Sequence, residues 1–427
     1  MKSSIRQVGA SQLEISFCVD ISGSLLEAER KIQDALNDAG AQATGRAIER
    51  CDSNGEPISI AGVKFYSKAQ VPKCYQTPYG EVEIKRHVYQ TAKGGKTFCP
   101  LEQRAKIIGT ATPFFAKQIS SKVAECAASV VRRDLIENHG RAVSKEFVQN
   151  TAEAVGSIAQ AKEADWEYEL PKFKDEVSSI SVSLDGVMMQ TVDDGWREAM
   201  VGSLSYYGLD GTRLHTTYCA ATPEYGKETF FERLDREIER SKELFTEDKV
   251  KYVGIADGAR GNWKFLNKRT EVQITDFFHA AEYISQAAEA CFNSRQAEDK
   301  REWTETVLHD LKHASRGAST ALRKLKALEE SAQTNSARET VSQSISYLSN
   351  QKQRMKYASY RENGYPIGSG VTESACKMLV KQRLCQSGMR WKEKGAATIL
   401  SIRSLVRTEG RWDQFWQKID DQCIVAA

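Results

Sequence analysis

The sequence has no long apolar run, and none of its segments approaches the roughly 18 residues that a helix needs to cross a bilayer. The first residues, MKSSIRQVGASQLEIS, contain no apolar core followed by a small-residue cleavage site, so they do not predict a secretory signal. We therefore expect a protein that has no membrane partner and is located in the cytoplasm.

Cysteine pairs are absent as well. The 10 cysteines are scattered along the chain, and no C-x-x-C motif occurs. A cytoplasmic chain of this length does not need a disulfide framework, and zinc ligands usually come in pairs about two to four residues apart. Most of the cysteines are therefore predicted to be small buried hydrophobic residues.

The chain also has little excess charge, since 60 Lys and Arg residues oppose 57 Asp and Glu residues. The net charge of +3 does not by itself indicate a nucleic-acid-binding protein. The distribution is more informative, because residues 377–411 contain nine basic residues and only two acidic ones. A phosphate-binding surface and an ordinary solvated helix face are both compatible with this cluster.

Residues 1–170 are interpreted as an α+β N-terminal region. Residues 1–50 have helical spacing of apolar side chains, residues 57–90 read as short strands, and Gly94-Gly95 reads as a turn. Residues 110–160 predict two helices that are separated near Gly140, with Ser144 as the cap of the second. These two helices form either a helix-turn-helix or an ordinary helical pair.

From residue 178 the pattern predicts the order β-β-β-α-β-α-β-α. An antiparallel trio of strands joined to two parallel strands by crossover helices is the order of an RNase H-like domain of the α/β class. Residues at about 293–360 have a helical composition with no strand signal, which predicts an all-helical insertion. We place this domain at residues 175–427.

Three carboxylates follow from this topology. Asp185 is predicted to end the first strand, Asp257 to end the fourth, and Glu373 to lie in the first turn of the helix after the insertion. If they meet at one edge of the sheet, their oxygens suit Mg²⁺ or Mn²⁺. Each also has a simpler interpretation, namely turn chemistry for the Asp-Gly pairs and a favourable helix dipole for the glutamate.

The residues from about 75 to 418 resemble bacterial insertion-sequence transposases of the Kra type, which are distant relatives of the Mutator-like transposases. The resemblance rests on the blocks SLDGVMM, DDGWREAMVG, IADGARGNW, DFFHAAEYI, YPIGSGVTESACKMLVKQRLCQSGMRW and GRWDQFW. It implies a DDE triad of Asp185, Asp257 and Glu373 that holds Mg²⁺ or Mn²⁺, and a Mutator-like signature matched by Asp276 and His279.

Two further site residues come with this resemblance. His279 is expected either to act at the scissile phosphate or to serve as a helix-start histidine bonded to Asp276. Trp263 is expected either to stack on a displaced base or to belong to the core.

The chain departs from the family pattern in two places. The cysteine pairs of the family's zinc ribbon are missing, so we expect a ribbon-like fold with no structural zinc; an unconventional set of Cys51, Cys74, Cys99 and His87 is the alternative. Met200 stands where the family usually has lysine.

The expected protein is an enzyme, a transposase that binds the terminal inverted repeats of an insertion sequence and then cleaves and joins DNA. Its partners are double-stranded transposon ends and target DNA, it is expected to form a homo-oligomer on DNA, and its location is nucleoid-associated. A structure-selective nuclease and a catalytically silent DNA-binding descendant remain open alternatives. Five basic residues are predicted to hold the DNA backbone: Lys377, Lys381, Arg383, Arg390 and Lys392.

Overall fold

In the computed structural model, which describes residues 3–246 and 248–422, the chain begins with a hairpin and not with a helix. Strands β1 (Ser3–Gly9) and β2 (Gln12–Phe17) are antiparallel. The period-two spacing of Leu13, Ile15 and Phe17 explains this hairpin, which the sequence analysis missed. The predicted helix follows as α1 (Leu25–Glu49).

The strands predicted in residues 57–90 are present in a four-stranded antiparallel sheet. Its members are β3 (Ile58–Ile60), β4 (Val63–Gln76), β5 (Glu81–Thr91) and β6 (Gly94–Phe98), in that order. The turn lies at residues 92–93, and Gly94 and Gly95 begin β6 with positive φ angles of 84° and 96°. One face of this sheet packs around the buried side chains of Ile48, Tyr75 and Ile84.

Three helices occupy the region where two were predicted. After the short α2 (Pro100–Arg104) come α3 (Pro113–Glu125), α4 (Ala128–His139) and α5 (Lys145–Lys162). The predicted break at Gly140 is confirmed by its left-handed φ of 62°, and the Ser144 hydroxyl caps α5 by accepting the Phe147 N–H at 3.0 Å. The additional break lies at Cys126, whose extended backbone ends α3.

A mixed five-stranded sheet follows. Its strands are β7 (Val177–Thr191), β8 (Gly195–Gly208), β9 (Arg213–Ala221), β10 (Lys251–Ala256) and β11 (Val272–Thr275). The spatial order is β11-β10-β7-β8-β9, with β7, β8 and β9 antiparallel and β10 parallel to both β7 and β11. Helix α6 (Glu228–Leu244) connects β9 to β10, α7 (Arg260–Leu266) connects β10 to β11, and α8 (Phe277–Cys291) follows β11. The predicted order of elements is therefore confirmed.

Both faces of this sheet are covered. On one face, Ile180, Val182 and Leu184 of β7 pack against α6 and α7. On the other face, Val253 and Ile255 of β10 pack with α8 and with the helices of the predicted insertion. These helices are α9 (Ala297–His313), α10 (Gly317–Ser331), α11 (Asn335–Gln351) and α12 (Tyr357–Glu362). None of the helices in the described ranges is long and apolar enough to span a membrane.

The last helices divide between two compact units. They are α13 (Gly370–Ala375), α14 (Gln382–Leu384), α15 (Glu393–Arg407) and α16 (Arg411–Asp421), with a π-helical segment, Cys376–Lys381, between the first two. Among the described residues, the second unit contains 170–246, 248–396 and 407–409, whereas residues 397–406 and 410–422 group with residues 3–169. Phe415 of α16, for example, packs edge-on against Trp166 at 5.5 Å. This division differs from the predicted boundary, which assigned all residues after 175 to one domain.

Candidate active site

Asp185 lies in the middle of β7, and the prediction that it ends the strand is wrong. Pairing of β7 with β8 continues to Thr191, but pairing with β10 stops at Ser183, so Asp185 lies two residues beyond that point. Its Oδ1 accepts the Gly186 N–H at 2.7 Å. Its Oδ2 lies 3.7 Å from the Cys376 thiol, which donates to it.

Asp257 directly follows β10. Because Ile255 pairs with Ser183 in parallel register, Asp257 falls at the register position of Asp185. Its Oδ1 accepts the Ala259 N–H at 3.0 Å, and its backbone carbonyl accepts the Tyr347 hydroxyl at 2.5 Å. The two aspartates therefore lie at the same level of the sheet, Asp185 within β7 and Asp257 directly after the neighbouring strand β10.

Glu373 is brought towards this edge by two polar contacts. The carboxylate of Asp276, at the end of β11, accepts the backbone N–H of Ser369 at 2.8 Å, just before α13 begins. Within α13, the Thr372 hydroxyl lies 2.7 Å from the Ser203 hydroxyl of β8. The predicted position of Glu373, in the first turn after the insertion, is thus the position found.

The electrostatics of the site show that these carboxylates influence one another. Burial, and then the charge of Asp257, raise the pKa of Asp185, while the Gly186 N–H and the Cys376 thiol act in the opposite direction. Partial desolvation raises the pKa of Glu373, as do the charges of Asp276 and Asp185. Like charges near one another disfavour ionisation, which is the direction of both pKa shifts.

Gly186 leaves room for the Glu198 side chain of the neighbouring strand β8. Any Cβ at this position would overlap the carboxylate of Glu198. Glu198 forms an ion pair with Lys227 at 2.5 Å and also adds to the negative charge felt by Asp185. Glycine therefore allows one more carboxylate to approach the Asp185 position.

The donor set fits a hard divalent cation. All three predicted ligands, Asp185, Asp257 and Glu373, offer carboxylate oxygens, which Mg²⁺ and Mn²⁺ prefer. Within residues 3–246 and 248–422, no three His, Cys, Asp or Glu side chains are grouped tightly enough to form a complete metal site. Asp185 and Asp257 therefore share a register position, and the charge of Asp185 acts on Glu373. The three carboxylates are nevertheless not close enough together to be ligands of one cation.

His279 and Trp263 differ in their exposure and in their contacts. The His279 backbone N–H donates to Asp276 at 3.3 Å, while its ring lies 3.4 Å from Glu282 and 5.6 Å, edge-on, from Tyr347. The Trp263 side chain is only 5% exposed and belongs to the core beneath β7. It has almost no free surface on which a displaced base can stack.

The predicted basic surface is found in part. Lys377, Lys381, Arg390 and Lys392 are exposed. Arg383 is a correction, because it is 3% exposed and its guanidinium lies over the Trp391 ring at 5.1 Å. Trp391 itself is hydrogen-bonded to Gln190 at the end of β7, so Arg383 is part of the packing there.

The residues considered for zinc are dispersed among other contacts. Cys51 and Cys99 pack at the border of the cluster around Tyr75, and Cys74 is exposed. The His87 ring lies 2.9 Å from the Asp52 carboxylate. Met200, where the family has lysine, is 2% exposed and packs in the core of the second unit.

Sequence reasoning missed two side chains of the site. Cys376 contacts Asp185, and its spacing of three residues from Glu373 on a helix was an available signal. Tyr347 contacts the Asp257 carbonyl from the middle of the insertion, where the sequence offered no signal. Burial and the nearby charge of Asp257 raise the pKa of the Tyr347 hydroxyl, so it remains a donor.

Two comparisons with known proteins were made, one with family models and one with curated proteins. No family model matches the chain, and no curated protein matches it either.

Proposed function

We propose that the protein is a DDE-type transposase of the insertion-sequence class, an enzyme that cuts and joins DNA in a divalent-metal-dependent reaction. The observation that carries this proposal is the position of three carboxylates that are far apart in sequence. Asp185 and Asp257 share a register position at one edge of the five-stranded sheet, and the charge of Asp185 acts on Glu373. Strand order, crossover helices and helical insertion together support an RNase H-like fold for residues 170–396.

Each residue of the site has a definable role in this proposal. Asp185, Asp257 and Glu373 would hold the cations, and two such ions can activate an attacking oxygen and stabilise the leaving oxygen of a phosphoryl displacement. The Gly186 N–H and the Cys376 thiol orient the Asp185 carboxylate. Tyr347 fixes the backbone of Asp257, and Asp276 fixes the start of the helix that carries Glu373.

DNA binding in this proposal depends on charge outside the carboxylate cluster. Lys377 lies four residues after Glu373, and its charge partly offsets the rise in the pKa of that glutamate. Together with Lys381, Arg390 and Lys392, which are all exposed, it would contact the DNA backbone by neutralising phosphates. End recognition is assigned to the first unit, whose helices α4 and α5 meet at Gly140.

A strand-transfer assay tests this proposal. Pre-cut, labelled oligonucleotides that match the DNA flanking the gene are incubated with the full chain, a supercoiled target plasmid and Mg²⁺. The proposal predicts joined products with the wild-type protein and none with D257N. Cleavage of the plasmid without joining would favour a structure-selective nuclease, and end binding without either reaction would favour a catalytically silent descendant.

A further inference from the structure

A cavity of about 550 Å³ lies beside the loop that carries Asp257, between α7 and α11. Its wall is continuous with that loop, because Gln351 donates to the Gly258 carbonyl at 3.3 Å and Tyr347 donates to the Asp257 carbonyl. A ligand in the cavity would therefore lie next to the candidate active site. The sequence analysis did not predict this cavity.

The lining of the cavity is polar and cationic. It includes Arg260, Lys264 and Arg354, with the amides of Asn267, Asn350 and Gln351, and it contains no carboxylate. Neither Arg260 nor Lys264 forms an ion pair with any residue in the described part of the chain. Three cations that face one cavity with no lining acid favour an anionic ligand.

Arg354 is held in place by Trp263. Its guanidinium lies over the indole ring at 4.5 Å and also donates to Gln351 at 3.4 Å. The buried indole N–H of Trp263, which also lines the cavity, has no acceptor among the described residues. Because Arg354 already covers the indole, this tryptophan is better suited to position a cation than to stack on a base.

The backbone of Gly258 forms the part of the cavity wall that is nearest to Asp257 in the sequence. Gly258 has a φ of 116°, and a Cβ there would lie 3.1 Å from Tyr347 and 3.2 Å from Gln351. Glycine thus lets both side chains approach the loop closely. Two of the residues that line the cavity are thereby held against the loop that carries Asp257.

We propose that this cavity binds a phosphate group of a DNA strand that passes Asp257, with Arg260, Lys264 and Arg354 as its ligands. Guanidinium groups and amides donate to phosphate oxygens, and a volume of about 550 Å³ accommodates one nucleotide unit. The assignment of this phosphate group to DNA rests on the proposed function, whereas the preference of the cavity for a phosphate group does not.

The first test uses pyrophosphate as a probe that needs no DNA. Calorimetric titration of the full chain in EDTA should show binding that weakens about tenfold in K264Q and in R354Q, since each loses a charged hydrogen bond. The matched control is K268Q, because Lys268 is an exposed cation just after α7 that does not line the cavity. It should change binding less than about twofold. No binding by the wild-type protein, or equal losses in K264Q and K268Q, would overturn the proposal.

The second test separates this site from the transposase proposal. In EDTA, a labelled single strand should bind K264Q with a salt-dependence slope about 0.7 lower than wild type, as expected for one lost phosphate contact. An unchanged slope would contradict the cavity proposal and would leave the transposase proposal unaffected. If pyrophosphate binds with the predicted pattern but the wild-type protein neither cleaves nor joins DNA, the cavity proposal stands and the transposase proposal fails.

Discussion

Glu102 in the first unit and Asp185 in the second are both partly buried carboxylates beside a β-sheet, but their surroundings are opposite. Glu102 accepts hydrogen bonds from Lys73 and Tyr75, each at 2.7 Å, and from Arg86 at 3.2 Å. Although burial opposes it, these partners lower the pKa of Glu102. Asp185 has no cation at hydrogen-bond distance within the described residues, and burial with the Asp257 charge raises its pKa.

The difference separates a carboxylate whose charge is neutralised by neighbouring cations from one whose charge is not. A carboxylate that is neutralised by two cations stabilises its fold and has little capacity for another ligand. A carboxylate that is held near other carboxylates is in an unfavourable state that a bound cation would relieve, and such sites exchange stability for function. The comparison therefore supports a cation site at Asp185 and a packing role for Glu102.

The largest expected effect is on cation binding. Replacing Asp185, Asp257 or Glu373 by its amide should weaken Mn²⁺ binding by about a hundredfold or more, since even the loss of an outer-shell partner costs about 10- to 100-fold. Electron paramagnetic resonance of free Mn²⁺ measures this directly. E102Q is the matched control and should bind like wild type; equal weakening by all four variants would remove the distinction.

The effects on stability should have the opposite order, with E102Q destabilising its unit and D185N leaving its unit at least as stable as in the wild type. E102Q removes the negative charge that Lys73 and Arg86 share, which weakens both hydrogen bonds, so local opening of β4 and β5 should become easier by about 2 kcal/mol. D185N relieves repulsion with Asp257 and should leave β7 as stable as in the wild type or more so. Hydrogen exchange of the strand amides reports on each unit separately. Unchanged exchange of the β4 amides in E102Q, together with faster exchange of the β7 amides in D185N, would contradict the roles given to Glu102 and Asp185.

The third prediction concerns Asp276, which caps α8 and holds Ser369. D276A should destabilise α8 by about 1 kcal/mol through the lost cap and should also lower DNA cleavage, because the start of α13 is released. D276N retains an acceptor for the Phe278 N–H, which lies 2.6 Å from the carboxylate. It should therefore restore most of the stability. Full cleavage activity in D276A would show that cleavage does not depend on the hydrogen bond between Ser369 and Asp276.

The smallest expected effect concerns pH. Because the folded-state pKa of Glu102 is lowered, its contribution is fully present above the ordinary value of about 4.5 and is lost as pH falls through the lower folded value. The stability difference between wild type and E102Q should therefore be constant above pH 5 and shrink below about pH 4.5. A difference that grows on acidification would contradict the lowered pKa.

The sequence predicted the second unit better than the first. Strict alternation in β7 and a clear order of strands and helices determined the sheet, because both depend on local periodicity. The hairpin at residues 3–17 was missed, since the period-two pattern of its short second strand was read together with the longer helical pattern of α1. The grouping of residues 397–406 and of α16 with the first unit depends on tertiary packing, as between Trp166 and Phe415, that no local pattern reveals.

The candidate site was predictable only where motifs and topology coincided. Asp257 and Glu373 follow elements that the sequence marks clearly, whereas Asp185 lies inside a strand whose continuation past the site depends on pairing with β8. Arg383 was assigned to the basic surface by its charge alone, and only packing on Trp391 shows that it is buried. The cavity near Trp263 joins elements about 90 residues apart, which spacing along the chain cannot indicate.

The most direct test of the central claim is metal-dependent DNA cleavage by the full chain. A supercoiled plasmid that carries the gene with its flanking DNA is incubated with Mg²⁺ and wild-type protein, D185N, D257N, E373Q or E102Q, and new 3′-hydroxyl ends are mapped. The account predicts cuts at the element's ends for wild type and E102Q, and none for the three triad variants or in EDTA. Cleavage that persists at the wild-type rate in any triad variant would contradict it.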